Sequence, residues 1–252
     1  MAEWAAFAGF VGVVLAGLLL LAHASADALD ADARSTDFPP TLSDRVVDAP
    51  SDAAPPPGGR HATPSTPALL VNVVVSQGLF ASILVVGAWL AGVPAAALGL
   101  SSDAFAPAVL GAGVVLGVGL HVVNTVGTRL SDRFGLGDAS TLRRAMTPES
   151  TAGWLVLLAV VLPLVAGFEE LLFRGVLIGA FATGFGLSPW LLAGLSSVAF
   201  ALGHGAQGRL GVVVTGALGF VLAAAFVVTG SLTTVVVAHY LVNALEFVVN
   251  ET

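Results

Sequence analysis

The strongest constraint on the fold of this chain is a series of apolar runs, each about long enough to cross a lipid bilayer. A membrane-spanning helix needs roughly 20 mostly apolar residues. The runs are Trp4–Ala22, Ala68–Leu90, Phe105–Val126, Ala152–Phe181, Pro189–His204, Leu210–Val228 and Leu232–Val249. The fourth can form one kinked helix or two shorter ones. The sequence therefore predicts an all-α, polytopic transmembrane helical bundle of about seven helices, within a range of six to eight.

The composition agrees with this prediction. Hydrophobic residues make up 56% of the chain and charged residues only 10%, whereas about a quarter of the residues of a soluble domain are charged. So few charges cannot cover a surface that faces water, but a surface that faces lipid needs none. We therefore expect a multi-pass protein of the cell membrane. The absence of cysteine excludes disulfides, zinc–thiolate sites and cysteine nucleophiles.

The charges that are present are mostly acidic. All nine basic residues are arginine, and sixteen acidic residues give a net charge of −7. This balance argues against nucleic acid as a partner. Acidic solvent-facing segments without lysine are typical of proteins from a halophilic organism, and a GC-rich genome that favours Ala, Gly, Val, Asp and Arg codons explains them equally well.

Two polar segments divide the chain into four predicted parts. Residues 1–22 form an N-terminal transmembrane anchor, and residues 23–67 form an acidic, Pro- and Gly-rich linker that is too polar to bury a core and is predicted to be disordered. Residues 68–150 hold the second and third spans and an arginine-bearing cytoplasmic loop. Residues 151–252 hold the remaining spans together with every cluster of ionisable residues discussed below.

The first apolar run has a second interpretation. Ala24-Ser25-Ala26 resembles a signal-peptidase site, but the residues before the run include Glu3 and no basic residue, whereas signal peptides begin with positive charge. An uncleaved first span also puts both arginine-bearing segments on one side of the membrane, which the positive-inside rule assigns to the cytoplasm. We therefore favour an uncleaved anchor, with the C-terminus in the cytoplasm.

Glu169, Glu170 and Arg174 lie inside the fourth run, where a charge costs from about 2.5 to more than 10 kcal/mol unless it has a partner or a polar cavity. Glu170 and Arg174 have the i, i+4 spacing of a helical ion pair. Adjacent residues on a helix point about 100° apart, so we expect Glu169 to face a different partner and to be available as a general base. The alternative is a buried ion pair with Glu169 facing water at the interface.

Further polar residues lie in other spans. His204 ends the fifth run, where an interfacial histidine is the ordinary alternative to a catalytic one. His239 and Asn243 in the last run share a helix face and can reach one group together, or can form an interhelical hydrogen bond. His121 and Asn124 of the third run are interpreted as packing residues rather than as the lining of a cavity, and Glu246 as an interfacial residue.

The order Glu169-Glu170-x-x-x-Arg174, Phe200-x-x-x-His204 and His239-x-x-x-Asn243 on successive apolar segments resembles the CAAX prenyl endopeptidase and bacteriocin-processing (CPBP, or Abi) family of intramembrane proteases. The resemblance covers about residues 150 to 249. Each motif alone is weak, whereas the three together, in this order, are specific. The resemblance implies a peptidase that cuts a membrane-associated protein or peptide, prenylated or not.

The resemblance also implies the role of each residue. Glu169 activates the attacking water, His204 holds or polarises it, and His239 and Asn243 stabilise the oxyanion. Glu170 and Arg174 are the supporting pair. Family members have been described as metalloproteases and as metal-independent glutamate-type proteases, and Glu169, His204 and His239 have the residue types of a His₂Glu zinc site.

Two other functions remain open from the sequence. One is a catalytically silent scaffold or bacteriocin-immunity-type protein of the same fold. The retained Glu, His and Asn residues argue against it, because they destabilise a protein in lipid. The other is a proton-coupled transporter, which would also use intramembrane Glu and His. A transporter is typically built from repeated halves, and the sequence contains no convincing internal repeat.

Overall fold

The computed structural model describes residues 2–36, 65–133 and 140–251, and the regular structure of these ranges is entirely helical. The helices are α1 Trp4–Thr36, α2 Thr66–Leu90, α3 Pro107–Arg133, α4 Ser140–Met146, α5 Thr151–Phe185, α6 Pro189–Gly203, α7 Gly208–Thr229 and α8 Leu232–Glu251. A 3₁₀ turn, Ala95–Leu98, follows α2, and a second, Gly205–Gln207, follows α6.

Six of the described helices are long and apolar enough to cross a membrane: α1 through Trp4–Ala24, α2, α3, α5, α7 and α8. The fifth apolar run forms α6, whose 15 residues rise about 22 Å, less than the roughly 30 Å of a hydrocarbon core. The predicted all-α polytopic bundle is therefore confirmed, and the chain is an integral membrane protein.

The fourth apolar run forms helix α5. It is one continuous helix of 35 residues, with two π-helical stretches, Leu157–Val161 and Leu171–Ala180. The first stretch comes just before Pro163, whose ring nitrogen cannot donate to the helix, and the second begins directly after Glu170. Single π-helical turns inside α-helices are frequent at functional sites, and here the widened backbone follows the Glu-Glu pair.

The first helix is longer than its apolar run. It continues to Thr36, so the beginning of the segment that we interpret as a disordered linker is helical. This extension is rich in alanine, the residue with the highest helix propensity. Residues 37–64, which make up most of the predicted linker, lie outside the described part of the chain.

The centre of the bundle is formed by α5 and α8. In the apolar 18-residue stretch of each span, 39% of α5 and 44% of α8 is buried inside the protein. The corresponding share in the other spans is 11–22%. Helix α3 packs closely on α8, since a Cβ atom on Gly113 or Gly117 would lie 2.8 Å from a carbonyl oxygen of α8. The two central helices carry the Glu-Glu-Arg motif and the His-Asn motif, so both motifs lie in the interior of the bundle.

Candidate active site

Arg174 of α5 is fixed in the centre of the bundle by three neighbours. Its side chain is 1% exposed, and Nη1 donates to Glu170 Oε1 over 2.8 Å. Nη2 donates to the carbonyl oxygen of Gly219 on α7 over 2.7 Å. The guanidinium carbon lies 4.7 Å from the ring centroid of Phe200 on α6. The ion pair expected from the i, i+4 spacing is thus present, and the same side chain links α5 to α6 and α7.

The oxygen of Glu170 that binds Arg174 also contacts His239 of α8. His239 Nδ1 lies 2.7 Å from Glu170 Oε1, and both side chains are buried. An ionised carboxylate can only accept hydrogen bonds, so Nδ1 carries the hydrogen of this contact. Glu170 therefore fixes the orientation of the imidazole and leaves Nε2 free for other partners.

Glu169 faces the other nitrogen of the same ring. Its Oε2 lies 3.7 Å from His239 Nε2, and its side chain is 13% exposed. Glu169 faces a residue other than Arg174, as expected, but it shares that neighbour with Glu170, because the two ring nitrogens of His239 face the two carboxylates. The distance of 3.7 Å exceeds that of a hydrogen bond, so the carboxylate of Glu169 can still accept a hydrogen bond from another molecule.

The formal charges of this cluster depend on one proton. Glu169, Glu170 and Arg174 together carry one negative charge when all three are ionised, and a proton on His239 Nε2 makes the cluster neutral. Buried charges are tolerated in proteins when they are paired. With that proton, Nε2 is a donor, and without it Nε2 is an acceptor. The cluster can therefore support proton transfer inside the bundle.

His204 packs against Phe200, whose ring also lies near His239. Its Nδ1 is 2.8 Å from the carbonyl oxygen of Phe200 and must donate to it, because a carbonyl oxygen only accepts. The ring centroid of Phe200 is 4.5 Å from that of His204 and 6.2 Å from that of His239. Because Nδ1 is engaged by the Phe200 carbonyl, Nε2 is the ring nitrogen of His204 that remains for another partner.

Asn243 follows His239 by one turn of α8 and is half-buried. Its side chain makes no hydrogen bond with any residue in the described part of the chain. An amide inside a membrane bundle without a protein partner has a free N–H donor. The structure therefore leaves Asn243 available to a bound molecule on the helix face that it shares with His239.

The fit of a zinc ion to Glu169, His204 and His239 is mixed. Both histidines bind protein oxygen through Nδ1 and leave Nε2 free, which is the arrangement of zinc-bound histidine. However, no group of three or more His or acidic side chains converges to hold a metal within residues 2–36, 65–133 and 140–251. Phe200 packs against the rings of both His204 and His239. The set does not fit zinc in this conformation, and zinc binding stays a prediction.

A second, partly buried polar cluster lies further along α8, around Glu246. Its Oε1 accepts from Asn124 Nδ2 over 2.7 Å and lies 3.2 Å from His121 Nδ1, while Arg143 Nη1 approaches Oε2 to 3.4 Å. Arg143 also donates to Glu251 over 2.8 Å. His121 and Asn124 pack as expected, but Glu246, interpreted as interfacial, is only 13% exposed. The cluster joins α3, α4 and α8. Arg143 belongs to none of the sequence motifs, so its place in the cluster was not predicted.

An apolar cavity of about 370 Å³ lies between α2, α5 and α8. Gly167 and Leu171 line it and stand two residues before and two residues after Glu169. Two residues along a helix correspond to a rotation of about 200°. The lining of the cavity is therefore on the face of α5 opposite Glu169, and the cavity is not part of the carboxylate site.

Comparison with known proteins agrees with the resemblance drawn from the motifs. Residues 151–245 match the family model described as Rce1-like, type II CAAX prenyl endopeptidase. No curated protein and no solved structure matches the chain. The matched segment begins with α5, ends within α8 and includes all seven residues of the three motifs. Over this segment, the chain is similar to the Rce1-like type II CAAX prenyl endopeptidases, which supports an intramembrane protease of the CPBP family.

Proposed function

We propose that the protein is an intramembrane endopeptidase that hydrolyses a peptide bond in a membrane-associated protein or peptide. The observation that carries the proposal is the buried cluster in which Glu169 and Glu170 face the two nitrogens of His239 and Arg174 pairs with Glu170. Such groups are costly in a membrane protein and mark functional sites there. The family match supports the peptidase class.

Glu169 is the general base of the proposed reaction. It takes a proton from a water molecule as the water oxygen bonds to the substrate carbonyl carbon, and the π electrons of the carbonyl move onto its oxygen. When the carbon–nitrogen bond breaks, Glu169 returns the proton to the leaving amine, so the products are a carboxylic acid and an amine. General acid–base catalysis by a positioned side chain contributes about 10²- to 10⁴-fold. No acyl-enzyme forms.

His239 and Asn243 stabilise the oxyanion in this proposal. The protonated His239 ring donates from Nε2, and the Asn243 amide donates from Nδ2, one helical turn away. Donors fixed in a site that excludes water stabilise developing negative charge more strongly than the same groups do in water. Glu170 orients the imidazole through Nδ1, and Arg174 donates to the same carboxylate over 2.8 Å.

His204 has a supporting role. Its Nδ1 is engaged by Phe200, so Nε2 remains to accept a hydrogen bond from the attacking water. No step of the proposed reaction passes through a metal ion. Zinc bound by Glu169, His204 and His239 is the alternative, and chelation tests it.

The substrate remains to be identified within this class. The matching family is described as a CAAX prenyl endopeptidase, and the site residues themselves do not require a lipid group on the substrate. We propose that the chain acts on a substrate reached from the cytoplasmic side, where the positive-inside rule also puts the C-terminus. A peptide panel with each sequence in prenylated and unprenylated form separates the two substrate types.

The test uses purified full-length protein in lipid nanodiscs, at low and high salt, with quenched fluorescent peptides. Wild type is compared with Glu169→Gln and His239→Gln, and Glu149→Gln, an exposed residue just before α5, is the matched control. We expect cleavage by wild type and by the control, and a loss of at least about 10²-fold in Glu169→Gln.

A different result would overturn the proposal. If wild type and Glu169→Gln give the same cleavage of every peptide and every native membrane protein tested, the chain is not a protease of this kind. Retained binding of those peptides without cleavage would then favour a catalytically silent scaffold of the same fold.

A further inference from the structure

We infer that Gly219 of α7 is a positioning residue for His239 and acts on it through Arg174 and Glu170. Its backbone carbonyl accepts the 2.7 Å hydrogen bond from Arg174 Nη2. A helical carbonyl that already accepts from its own helix has a second lone pair for such a donor. The kinetic consequences of this inference rest on the proposed function, whereas its structural consequences do not.

The hydrogen bond requires α7 to approach α5 and α6 very closely. A Cβ atom at residue 219 would lie 2.8 Å from Cδ1 of Phe200 and 3.4 Å from Nη2 of Arg174. The first distance is shorter than carbon atoms tolerate without movement. Only glycine therefore allows the carbonyl of residue 219 to reach Arg174 while the ring of Phe200 keeps its place.

Phe200 has no room to yield to a larger residue. Its side chain is buried, and its ring centroid lies 5.0 Å from that of Phe173 and 4.5 Å from that of His204. Ser196, one turn earlier on α6, donates to the carbonyl oxygen of Phe173 over 2.6 Å and holds α6 against α5. A methyl group at residue 219 must therefore push back α7 and its carbonyl or displace the guanidinium.

A displaced guanidinium changes the contact between Glu170 and His239. Arg174 Nη1 and His239 Nδ1 bind the same oxygen, Glu170 Oε1. The other oxygen, Oε2, is buried and has no hydrogen-bond partner among the described residues, so no second contact holds the carboxylate in place. Loss of the α7 anchor thus lets the carboxylate turn, and the imidazole loses the contact that fixes Nδ1.

The first test is independent of catalysis. The ring nitrogens of His239 are observed by NMR in histidine-labelled full-length protein in nanodiscs, with the signal assigned by its loss in His239→Gln. We expect Gly219→Ala to shift the His239 ring signals. The matched control is Gly216→Ala on the same helix, where the new Cβ meets only the Cβ of Ala201, at 3.1 Å, and we expect wild-type signals there.

A second variant covers the case in which Gly219→Ala does not fold. Arg174→Lys keeps a positive charge near Glu170 but lacks the planar fork that binds two acceptors at once, so the anchor on Gly219 is lost without a change in α7. We expect the His239 signals to shift in this variant too. Wild-type His239 signals in Arg174→Lys, or in folded Gly219→Ala, would overturn the inference.

The second test measures kinetics if the wild type cleaves peptide. Gly219 does not touch the proposed substrate site, so we expect kcat to fall by about 10- to 100-fold, as for a misplacement of about 1 Å, and KM to change by less than about twofold. Gly216→Ala keeps the wild-type kcat. Inactive wild type overturns the proposed function but leaves the NMR result interpretable, whereas active wild type with an equally active Gly219→Ala overturns the inference alone.

Discussion

Replacement of the two adjacent glutamates is expected to have very different effects on the stability of the protein. Glu170 is fully buried, binds a fully buried arginine and contacts His239 through the same oxygen. Glu169 is 13% exposed and has only a 3.7 Å contact with His239. Replacement of each by glutamine preserves its shape and removes its charge. We therefore expect Glu170→Gln to destabilise the protein strongly and Glu169→Gln to leave its stability nearly unchanged.

The magnitude follows from what each substitution leaves behind. Removal of one partner of a buried ion pair costs about 3–5 kcal/mol, because the other charge remains buried without compensation. The glutamine carbonyl can still accept one hydrogen bond from Arg174, so we expect the lower end of this range. The free energy of unfolding should fall by about 3 kcal/mol, which is a change of roughly 100-fold in the unfolding equilibrium constant. For Glu169→Gln we expect less than about 1 kcal/mol, as for weak, partly exposed pairs.

The assay is reversible unfolding in mixed micelles with increasing SDS, followed by circular dichroism. A further variant, Glu170→Gln with Arg174→Met, removes the uncompensated charge, and we expect it to recover part of the lost free energy of unfolding. The reasoning is refuted if Glu169→Gln costs as much as Glu170→Gln, or if Glu170→Gln costs less than about 1 kcal/mol.

The remaining predictions concern the oxyanion, the metal and the second polar cluster. Asn243→Ala should lower kcat by about 10²-fold with little change in KM in steady-state peptide cleavage, while Ala at the exposed Asn72 of α2 should not. Dialysis against a zinc chelator should leave peptide cleavage unchanged; loss of activity that added zinc restores would instead support the zinc set. Arg143→Ala removes the contacts with Glu246 and Glu251, so hydrogen exchange in α4 should become faster, and unchanged exchange would count against a role of the cluster in holding α4.

The parts of the structure that the sequence predicts correctly depend on neighbours along the chain. An apolar run of about 20 residues makes a span whatever its partners are, so six of the seven predicted spans follow from the sequence. The fifth run was predicted as a span and forms the shorter helix α6 instead. The pair of Glu170 and Arg174 follows from the i, i+4 spacing within one helix. The length of α1 was underestimated because the prediction followed hydropathy, whereas the extension to Thr36 is rich in alanine.

The parts that could not be predicted depend on how the helices pack. The position of His239 between two carboxylates requires the orientation of α8 relative to α5, for which a single sequence contains no signal. The same is true of Arg143, whose contact with Glu246 joins residues 103 positions apart, and of Gly219, which looks like any other glycine of an apolar helix. Phe200 is visible in the sequence as part of a motif, but not as a ring that packs against two histidines.

The adjacency of the two glutamates is itself an argument for the proposed chemistry. A base that must gain and lose a proton cannot also be the fixed counter-ion of a buried arginine, because each protonation would leave that arginine unpaired. With Glu170 paired to Arg174, Glu169 can change its charge while the ion pair stays intact. The Nδ1 contact with Glu170 sets the orientation of His239, and its Nε2 faces the proposed base, Glu169. The side-chain exposure of 0% for Glu170 and 13% for Glu169 matches this division, since only the second must be reached by water.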